Sequence, residues 1–459
     1  MKMSSMAKQS HILAIDIGSS SVRSALFQIN GQRVVKSAAA RQYSIRYTQD
    51  DGAELDPQVV LRATRSCVDQ TMKFARGRAP VAISGSAFWH GLLGVSAKGK
   101  PVTPIYTWAD ARASDAAAEL RGNLSERAIQ LRTGCMLRAP FWPAKLRWLN
   151  RRDIARWISP ATWIFEKIFG LGLTSHSMAS GTGLYNLRTR SWDEELCKMC
   201  RVDLDQLGPI GDREGDIFSA IGDGAASNLG CGADTPDRIA INIGTSAAAR
   251  IVLPQRVRNI PRGLFQYVVD EKRVVVGGAI SNAGNLHRWC LRELKIRNDT
   301  EAEKALVRTA AANDSLIILP FWVQERAPTW PNELRGMILG LRPTTSAADI
   351  LRATTTSVFY RLAAIIERMP RANEAIVSGG ILHSPASLAI LADALGRDIR
   401  ICAEMESSLR GAATHGLQHL GFETAPLPRG KVIRHQPALA AKHRERRARQ
   451  EELERALTR

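Results

Sequence analysis

Short apolar runs on either side of small-residue turns open the first half of the chain. Residues 12–17 and 22–29 are predicted to be strands around a turn of small residues. Asn30-Gly31 is typical of a two-residue hairpin turn, and a third strand is predicted to begin over 32–35. The first half is therefore predicted to begin with antiparallel strands.

The second half of the chain repeats this pattern. Residues 238–243 and 249–253 are predicted to be strands around Gly244-Thr245-Ser246. A further strand over 273–276 is predicted to end at Gly277-Gly278. Each half therefore begins with a hairpin whose turn is built from Gly, Ser and Thr.

The two turns share most of their sequence: residues 14–20 read Ala-Ile-Asp-Ile-Gly-Ser-Ser, and residues 240–246 read Ala-Ile-Asn-Ile-Gly-Thr-Ser. Such a turn directs backbone N–H groups and hydroxyls to one point, which suits phosphate oxygens. Two facing turns would hold the β- and γ-phosphates of one nucleotide. Because one carboxylate is enough to hold a magnesium ion, usually through water, Asp16 is predicted to serve the metal. Asn242 would keep the shape without the charge.

Helical periodicity follows each hairpin. Apolar residues recur at three- and four-residue spacing over 57–74 and 347–366, which predicts helices there. A strand over 375–378 ends in Gly379-Gly380, and a helix is predicted to begin near Ser384. Bare backbone at this glycine pair would suit an adenine or its ribose.

The pattern predicts two related α/β domains, over residues 10–235 and 236–425, that join near Thr235-Pro236. Residues 426–459 form a basic tail, with a helix predicted over 441–457. Because the tail has few apolar residues, we expect an appended arm that folding and activity do not require.

Gly222-Asp223-Gly224 lies just before the second predicted domain, at the start of a small-residue helix. Phosphoryl transfer to an alcohol needs a base that orients and deprotonates the hydroxyl, together with positioning and charge neutralisation. Asp223 suits that role. The alternative interpretation is a helix-capping or turn aspartate.

Composition is that of a globular protein, with 45% hydrophobic and 23% charged residues. No apolar run reaches the roughly 18 residues that span a bilayer, and the polar segment 1–10 does not predict a secretory signal. Seven scattered cysteines, an odd number, indicate reduced thiols and a cytoplasmic location. Cys197-Lys-Met-Cys200 has zinc-knuckle spacing without a second pair, so ordinary helix residues are favoured over a metal or redox site.

The net charge of +19 is compatible with nucleic-acid binding or with a cleft that attracts anions. The basic residues are spread along the chain, and no aromatic-basic module of the kind that reads nucleic acid is present. The sequence therefore argues against nucleic-acid binding. The net charge is better explained by a cleft that attracts a small anionic ligand, or by an organism whose proteins are generally basic.

Several ordered motifs resemble those of the FGGY carbohydrate kinases, from about Ile12 to Leu420. This resemblance implies two actin/hexokinase-type (ribonuclease H-like) α/β domains with a nucleotide cleft between them. The motifs that carry it are Asp16-Ile-Gly-Ser-Ser-Ser-Val-Arg23, Trp89-His90, Trp108-Ala-Asp110-Ala-Arg112, Lys145-Leu-Arg-Trp148-Leu149, Ala179-Ser180-Gly-Thr-Gly183-Leu184, Gly222-Asp223-Gly224, Ile243-Gly244-Thr245-Ser246, Leu319-Pro320-Phe321, Glu325-Arg326 and Ser378-Gly379-Gly380.

The resemblance also implies ATP and Mg²⁺ as cofactors, Asp223 as the catalytic base and Asp16 at the metal. The implied phosphate and nucleotide contacts are Gly18, Ser19, Ser20, Gly244, Thr245, Gly284, Gly379, Gly380 and Ser384. The implied sugar contacts are Trp89, His90, Trp108, Asp110, Arg112 and Phe141. Two alternatives stay open: His90 as a satisfied core histidine, and Asp110 with Arg112 as a surface ion pair.

The stretch Ser86-Ala-Phe-Trp89-His90-Gly-Leu-Leu-Gly-Val95 resembles the gluconokinase-type branch, whereas the xylulokinase-type branch has Gln-Met-His there. This implies phosphorylation of D-gluconate to 6-phosphogluconate, with the carboxylate held by Arg112 or Arg138. The alternatives are a pentulose or polyol kinase and a regulatory protein that keeps the fold without turnover.

Two residues, Trp142 and Thr356, depart from the family pattern. A small-molecule sugar is the expected partner, no membrane partner is expected, and a homodimer stays open.

Overall fold

The computed structural model describes residues 10–151, 153–308, 316–331 and 334–458, so most of the polar segment 1–10 lies outside it. The strands are β1 (His11–Ile17), β2 (Ser21–Gln28), β3 (Ala39–Gln42), β4 (Arg46–Tyr47), β5 (Ala53–Leu55), β6 (Ala82–Ala87), β7 (Leu93–Val95), β8 (Ile105–Tyr106), β9 (Arg156–Ile158), β10 (Tyr185–Asn186), β11 (Ser191–Trp192), β12 (Arg213–Glu214), β13 (Ile217–Phe218), β14 (Ile221–Gly222), β15 (Arg238–Ile243), β16 (Ala247–Leu253), β17 (Phe265–Val268), β18 (Val274–Ile280), β19 (Ile317–Leu319), β20 (Met337–Leu339), β21 (Glu374–Ser378), β22 (Ile399–Ile401) and β23 (Val432–Ile433).

The α-helices are Pro57–Met72, Ser114–Asn123, Glu126–Thr133, Trp142–Leu149, Pro160–Phe169, His176–Ser180, Glu194–Met199, Asp223–Gly230, Gly284–Glu293, Asp299–Arg308, Ala347–Arg368, Pro385–Leu395, Ser407–His419 and Pro437–Leu457. Single 3₁₀ turns cover Lys73–Ala75, Leu204–Gln206 and Gly380–His383. Within the described residues, no helix is both long enough and apolar enough to cross a membrane.

The first large sheet has the strand order β12-β13-β6-β1-β2-β3, with β14 also paired to β6. The central strand β1 runs antiparallel to β2 and parallel to β6. The two predicted strands of this hairpin are confirmed, but of the third strand predicted over 32–35 only an isolated antiparallel bridge between Phe27 and Arg33 forms. Next to that bridge a side chain replaces further pairing with β2, because the backbone N–H of Leu26 donates to the Ser37 hydroxyl at 3.1 Å. The next strand of the sheet is β3.

The second large sheet has the order β17-β18-β16-β15-β21-β22-β23 and repeats the central arrangement of the first. Its central strand β15 runs antiparallel to β16 and parallel to β21. The strand predicted to end at Gly277-Gly278 instead continues through both glycines as β18. A Cβ at Gly277 would lie 2.2 Å from the carbonyl oxygen of Ala249, so this glycine allows close strand approach and does not end the strand.

Both predicted helices are confirmed, as Pro57–Met72 and Ala347–Arg368. The side chain of Asp56 caps the first by accepting from the N–H of Gln58. Ser346 and Asp349 cap the second by accepting from each other's backbone N–H groups. Sequence alone therefore located these helices to within a turn.

The helices Asp223–Gly230 and Ser407–His419 cross at the closest distance that two backbones allow. A Cβ at Gly230 would lie 1.7 Å from the carbonyl oxygen of Ser407, and one at Gly411 would lie 1.7 Å from that of Ala226. The second helix belongs in sequence to the predicted second domain. Its buried leucines and alanines nevertheless lie in an apolar cluster with residues of β1 and β2 in the first sheet.

The expectation of an appended C-terminal arm is wrong, although the predicted helix is present and longer, at Pro437–Leu457. The helix packs on the second domain through polar side chains, which is why its low apolar content misled the prediction. His443 Nδ1 lies 2.8 Å from the Tyr360 hydroxyl, and Arg361 Nη1 donates to Glu454 Oε2 at 2.6 Å. Both members of the ion pair are at most 5% exposed at the side chain.

We expect Glu454→Ala to lower the free energy of unfolding by about 3–5 kcal/mol, because it leaves the buried Arg361 charge without its partner. Urea unfolding followed by circular dichroism measures the change. Glu452→Ala is the matched control, since Glu452 is exposed on the same helix and should change stability by less than about 0.5 kcal/mol. Equal losses in the two variants would contradict a stabilising role for the buried pair.

Candidate active site

Matching polar pairs lie at the ends of the two central strands. Asp16 of β1 is aligned with Ser86 of β6, and Asn242 of β15 is aligned with Ser378 of β21. Ser86 donates its hydroxyl hydrogen to Asp16 at 2.6 Å, and the Asn242 amide donates to the Ser378 hydroxyl at 3.0 Å. The duplication therefore includes a serine beside each polar residue.

Asp16 is buried and fully oriented by its neighbours. Besides Ser86, the Ser408 hydroxyl donates to its second carboxylate oxygen at 2.9 Å, and Arg23 lies 4.0 Å away. Burial raises the pKa of Asp16, while the two hydroxyls and Arg23 oppose the rise. Each carboxylate oxygen keeps a free lone pair, so Asp16 fits a hard cation held directly or through water.

The two glycine turns are each closed by a backbone hydrogen bond from the glycine, but the second turn is one residue shorter. The N–H of Gly18 donates to the carbonyl of Ser21 at 2.9 Å, and the N–H of Gly244 donates to that of Ser246 at 2.9 Å. The flanking strand pairs are Ile17–Val22 and Ile243–Ala247. In the first turn Ser19 is half-buried and Ser20 is exposed; in the second, the exposed Thr245 accepts from Arg288 at 3.1 Å. Both turns thus place a glycine and a hydroxyl side chain at the end of a central strand, and their predicted contacts with phosphates stay predictions.

The predicted nucleotide glycines divide into two kinds. A Cβ at Gly284 would lie 2.4 Å from the carbonyl oxygen of Gly244, and a Cβ at Gly379 would lie 2.5 Å from that of Ile243. These two glycines therefore allow the loops to touch. Gly379 also has a left-handed φ of +93°. In front of Gly244 and Gly380 the space is open, with no atom nearer than 3.8 Å to a Cβ placed there. Bare backbone at these two positions fits a bound nucleotide.

Ser384 has a structural task in this arrangement. Its hydroxyl accepts from the N–H of Ser387 at the start of the helix Pro385–Leu395 and donates to the carboxylate of Glu303. Its predicted contact with a nucleotide stays a prediction.

Asp223 is the first residue of its helix, following Gly222 at the N-cap. It lines a cavity of about 340 Å³ together with Asn242, Gly379 and Gly380. Burial raises the pKa of Asp223 to about 6, although the charge of Arg250 opposes the rise. A buried carboxyl group with a pKa near neutrality is suited to take a proton from an alcohol.

Two arginines to which the sequence assigned no role act electrostatically on Asp223. Arg250 lines the same cavity, and its buried Nε has no hydrogen-bond partner among the described residues. Arg326 donates from Nε to the Ser281 hydroxyl at 3.1 Å and from Nη2 to the Ile280 carbonyl at 3.0 Å. The positive charges of both arginines lower the pKa of Asp223 against the effect of burial. Arg326 was visible in the sequence only as part of a motif, and Arg250 carried no signal.

Aromatic rings form the wall below Asp223. The Trp89 ring lies edge-on to Tyr267 at 4.8 Å, and Tyr267 stacks on Phe265 at 4.3 Å. A Cβ at Gly222 would lie 1.8 Å from the Trp89 ring, so the loop before Asp223 rests directly on the indole. Trp89 is therefore a support for the Asp223 loop, and only 5% of its surface is exposed.

His90 is held in one tautomer beside this wall. Its Nδ1 lies 2.6 Å from the Gly181 carbonyl, so Nδ1 carries the hydrogen and Nε2 keeps a lone pair. Burial lowers the pKa of His90 to about 3, which keeps the ring neutral. Its left-handed φ of 67° is unusual for a non-glycine residue. The Phe141 ring packs edge-on against it at 4.8 Å.

Asp110 and Arg112 form a pair, as the alternative interpretation held, but the pair is inside the protein. Arg112 donates from Nη2 to Asp110 at 2.5 Å and to Glu54 at 2.7 Å. Its guanidinium lies over the rings of Tyr106 and Trp148, at 5.4 and 4.9 Å. Arg138 likewise donates to the Glu126 carboxylate at 2.9 Å. Their predicted contacts with a substrate carboxylate stay predictions.

Trp108 stands closer to the cleft, because the guanidinium of Arg326 lies 4.8 Å above its ring. The loop that carries Trp108 is held by Lys145, which donates to the carbonyls of Thr107 at 2.7 Å and His90 at 2.9 Å.

Two residues that depart from the family pattern have structural contacts. Trp142 is buried and donates its indole N–H to the Gly91 carbonyl at 3.2 Å. The departure at Thr356 bonds the carbonyl of Arg352 within its own helix. Both departures are therefore accommodated in the packing.

Comparison with known proteins agrees with this geometry. Residues 11–248 match the FGGY family of carbohydrate kinases, N-terminal domain, and residues 239–418 match its C-terminal domain. A gluconokinase of Bacillus subtilis (strain 168) is 27% identical over 93% of this chain and 92% of its own length.

Two solved structures are similar to the same degree. A gluconate kinase from Lactobacillus acidophilus and a structure described as a ligand-bound xylulose kinase from that organism each superpose with a TM-score of 0.88. Each is 25% identical to this chain and covers 98% of both chains. Likeness alone therefore does not select the acceptor sugar. It does establish that the chain belongs to the FGGY family of carbohydrate kinases, phosphotransferases that act on an alcohol group.

Proposed function

We propose that this protein is a cytoplasmic, magnesium-requiring kinase that transfers the γ-phosphoryl group of ATP to the terminal hydroxyl of D-gluconate, giving 6-phosphogluconate. The observation that carries the proposal is that Asp223 and Arg250 line one cavity, while the charge of Arg326 also acts on the Asp223 carboxyl group. A base at this place supports phosphoryl transfer to an alcohol, and two cations beside it support an anionic acceptor. The similarity to proteins described as gluconokinases supports the same acceptor.

Asp223 carries the proposed chemistry on the acceptor side. Its carboxylate orients the hydroxyl and takes the proton as the oxygen forms its bond to phosphorus. Since the pKa of Asp223 is about 6, the group is mostly ionised at neutral pH and still basic enough to accept that proton. The Trp89 ring beneath the loop fixes the carboxylate and excludes water from the side away from the cleft.

Arg326 is the proposed partner of the acceptor carboxylate. Its Nε and Nη2 are fixed by Ser281 and Ile280, and its plane lies over Trp108. The charge of Arg326 acts on both His90 and Asp223, lowering the pKa of each, so the guanidinium lies within electrostatic reach of both ends of the acceptor pocket. His90 Nε2 would accept a hydrogen bond from a sugar hydroxyl. Arg112 and Arg138 are weaker candidates because each is already paired to a carboxylate.

The donor side of the cleft fits a nucleotide with its metal. ATP supplies the phosphoryl group, and Mg²⁺ neutralises the charge on its phosphates. Asp16 is the residue that would hold the metal, and the bare backbone at Gly244 and Gly380 would lie against the nucleotide. Arg250, with its unpaired Nε beside Asp223, would face the anionic groups at the reaction centre.

A pentulose is the second candidate acceptor, because the xylulose kinase superposes as well as the gluconate kinase does. The two candidates differ in charge, since a pentulose carries none. Substitution of the arginine that would bind a carboxylate therefore separates them.

Asp223→Asn should lower turnover with gluconate by about 10² to 10⁴-fold while leaving nucleotide affinity nearly unchanged, because only the proton acceptor is lost. Coupled ADP release measures turnover, and calorimetry measures nucleotide binding. Asp115→Asn, an exposed aspartate elsewhere in the same domain, is the matched control. If Asp223→Asn retains more than a third of wild-type turnover, Asp223 is not the base.

The efficiency kcat/KM should fall as the pH drops below about 6, because the base must be ionised in the free enzyme. Arg250→Met removes a positive charge that favours the ionised form, so the pKa of Asp223 rises and the acid limb moves to higher pH. A pH profile from 4.5 to 8 on both proteins shows the direction. An acid limb that stays in place or moves to lower pH would exclude this coupling between Arg250 and Asp223.

Arg326→Met should lower kcat/KM for gluconate by about ten- to a hundredfold, the loss expected for one charged hydrogen bond. The effect on a neutral acceptor such as xylulose or glycerol should be much smaller. Arg138→Met is the control, because it removes an arginine that is already paired with Glu126. A wild-type enzyme that prefers xylulose to gluconate by tenfold would exclude the gluconate assignment and leave the carbohydrate kinase.

Asp16→Asn should raise the Mg²⁺ concentration needed for half-maximal rate, because the amide loses the charge that attracts the metal. The substitution gives β1 the amide that Asn242 carries at the matching position of β15, beside a serine of the neighbouring strand, so folding should be preserved. Rates over a Mg²⁺ titration at fixed ATP measure the shift. An unchanged titration curve would mean that Asp16 does not serve the metal.

A further inference from the structure

A cluster of metal-binding side chains lies away from the catalytic cleft. His415 and His419 are one turn apart on the helix Ser407–His419, and Asp270 lies in the turn between β17 and β18. One ligand atom from each residue lies within 4.8 Å of the other two. Across the described ranges, this is the one group of three or more His, Cys, Asp or Glu side chains with such spacing.

Both histidines are prepared to act as ligands. His419 Nδ1 lies 2.9 Å from the carbonyl of His415, so Nδ1 is the donor and Nε2 keeps its lone pair for a metal. His415 is 2% exposed, and its buried Nδ1 has no hydrogen-bond partner in the part of the chain that the structure describes. The Phe218 ring packs edge-on against both imidazoles, at 6.2 and 5.8 Å.

Asp270 is also held in place with one oxygen available. Its Oδ2 accepts from Arg273 at 2.6 Å, and Oδ1 accepts only the backbone N–H of Lys272 at 2.9 Å. Arg273 in turn donates to Gln418 at 2.9 Å, so the turn is already tied to the helix beside the histidines. A supporting shell of this kind orients ligands in protein metal sites.

We propose that Asp270, His415 and His419 form a binding site for a borderline divalent transition-metal ion such as Zn²⁺. Two imidazoles and one carboxylate are a donor set that Zn²⁺ accepts, whereas Mg²⁺ prefers oxygen ligands alone. Binding draws the three atoms together to about 3.4 Å, the separation that metal–ligand distances of about 2.1 Å impose. His419 is exposed and free to make most of that adjustment.

The three residues of the site come from elements that pack in the two different large sheets. The helix Ser407–His419 packs on β1 and β6 of the first sheet, while Asp270 belongs to the edge hairpin of the second sheet. A metal ion here would join the two halves that border the catalytic cleft, at a point separate from the Mg²⁺ position predicted at Asp16.

Zinc titration of the full-length, nucleotide-free protein by calorimetry tests the site, with Mg²⁺ as the comparison ion. We expect one Zn²⁺ per chain for the wild type and no Mg²⁺ binding that competes with it. His419→Ala and Asp270→Asn should each weaken Zn²⁺ binding at least tenfold; the first removes an exposed side chain and the second keeps the shape of the carboxylate. His435→Ala, a histidine paired with Asp398 elsewhere, is the matched control and should bind as the wild type does.

Thermal unfolding gives an independent readout. Zn²⁺ should raise the melting temperature of the wild type and of His435→Ala, and it should have no such effect on His419→Ala. Zinc binding of equal affinity in the wild type and His419→Ala would overturn the proposal, because buried thiols or other histidines would then be the ligands. Absence of one-to-one binding in the wild type would overturn it as well.

Discussion

The close crossing of the helices Asp223–Gly230 and Ser407–His419 is the constraint on which the active site depends. Because Gly230 and Gly411 carry no side chains, each helix approaches a backbone carbonyl of the other at contact distance. The crossing places Asp223 at the start of one helix and Ser408 at the start of the other, on the two sides of the same cavity. Ser408 in turn holds Asp16, so one backbone contact fixes the proposed base and the proposed metal ligand together. Any side chain larger than glycine at the crossing would separate them.

Around that contact, burial and nearby charges shift the pKa of Asp223 in opposite directions. Burial and the nearby Asp16 raise the pKa of Asp223, while Arg250 and Arg326 lower it. Without the arginines the pKa of the carboxyl group would be higher and less of it would be ionised at neutral pH; without burial it would be ionised but a weaker base. The same arginines are costly to bury, because a charge in a low-dielectric site needs a partner. An anionic acceptor and the phosphates of a nucleotide would provide it.

The sequence predicted the duplicated hairpins and their helices because these follow from local patterns: turn glycines, apolar runs and capping residues. Asp223 and Asp16 could be chosen as candidates because each lies next to glycine in a recognisable motif, and their roles stay predictions. Ser86 and Ser378 could not be predicted, because strand register brings them beside Asp16 and Asn242 from 70 and 136 residues away. Arg250 looked like an ordinary strand residue until the sheet placed it at the cleft. The C-terminal helix was misjudged because its contacts are polar, and composition measures only apolar burial.

The pairing of Arg361 with Glu454 has a consequence for how the protein is made. The two residues are 93 positions apart, and at synthesis rates of about 5–20 residues per second the arginine exists for on the order of 5–20 s before its partner is added. During that interval the second sheet and the helix Ala347–Arg368 can form, but the Arg361 guanidinium lacks the carboxylate that it hydrogen-bonds in the finished fold. The last step in assembling the second half on the ribosome is therefore the arrival of a carboxylate from the C-terminal helix. A nascent chain stalled just before that helix should be a good client for chaperones, although every residue predicted to do chemistry has already been synthesised.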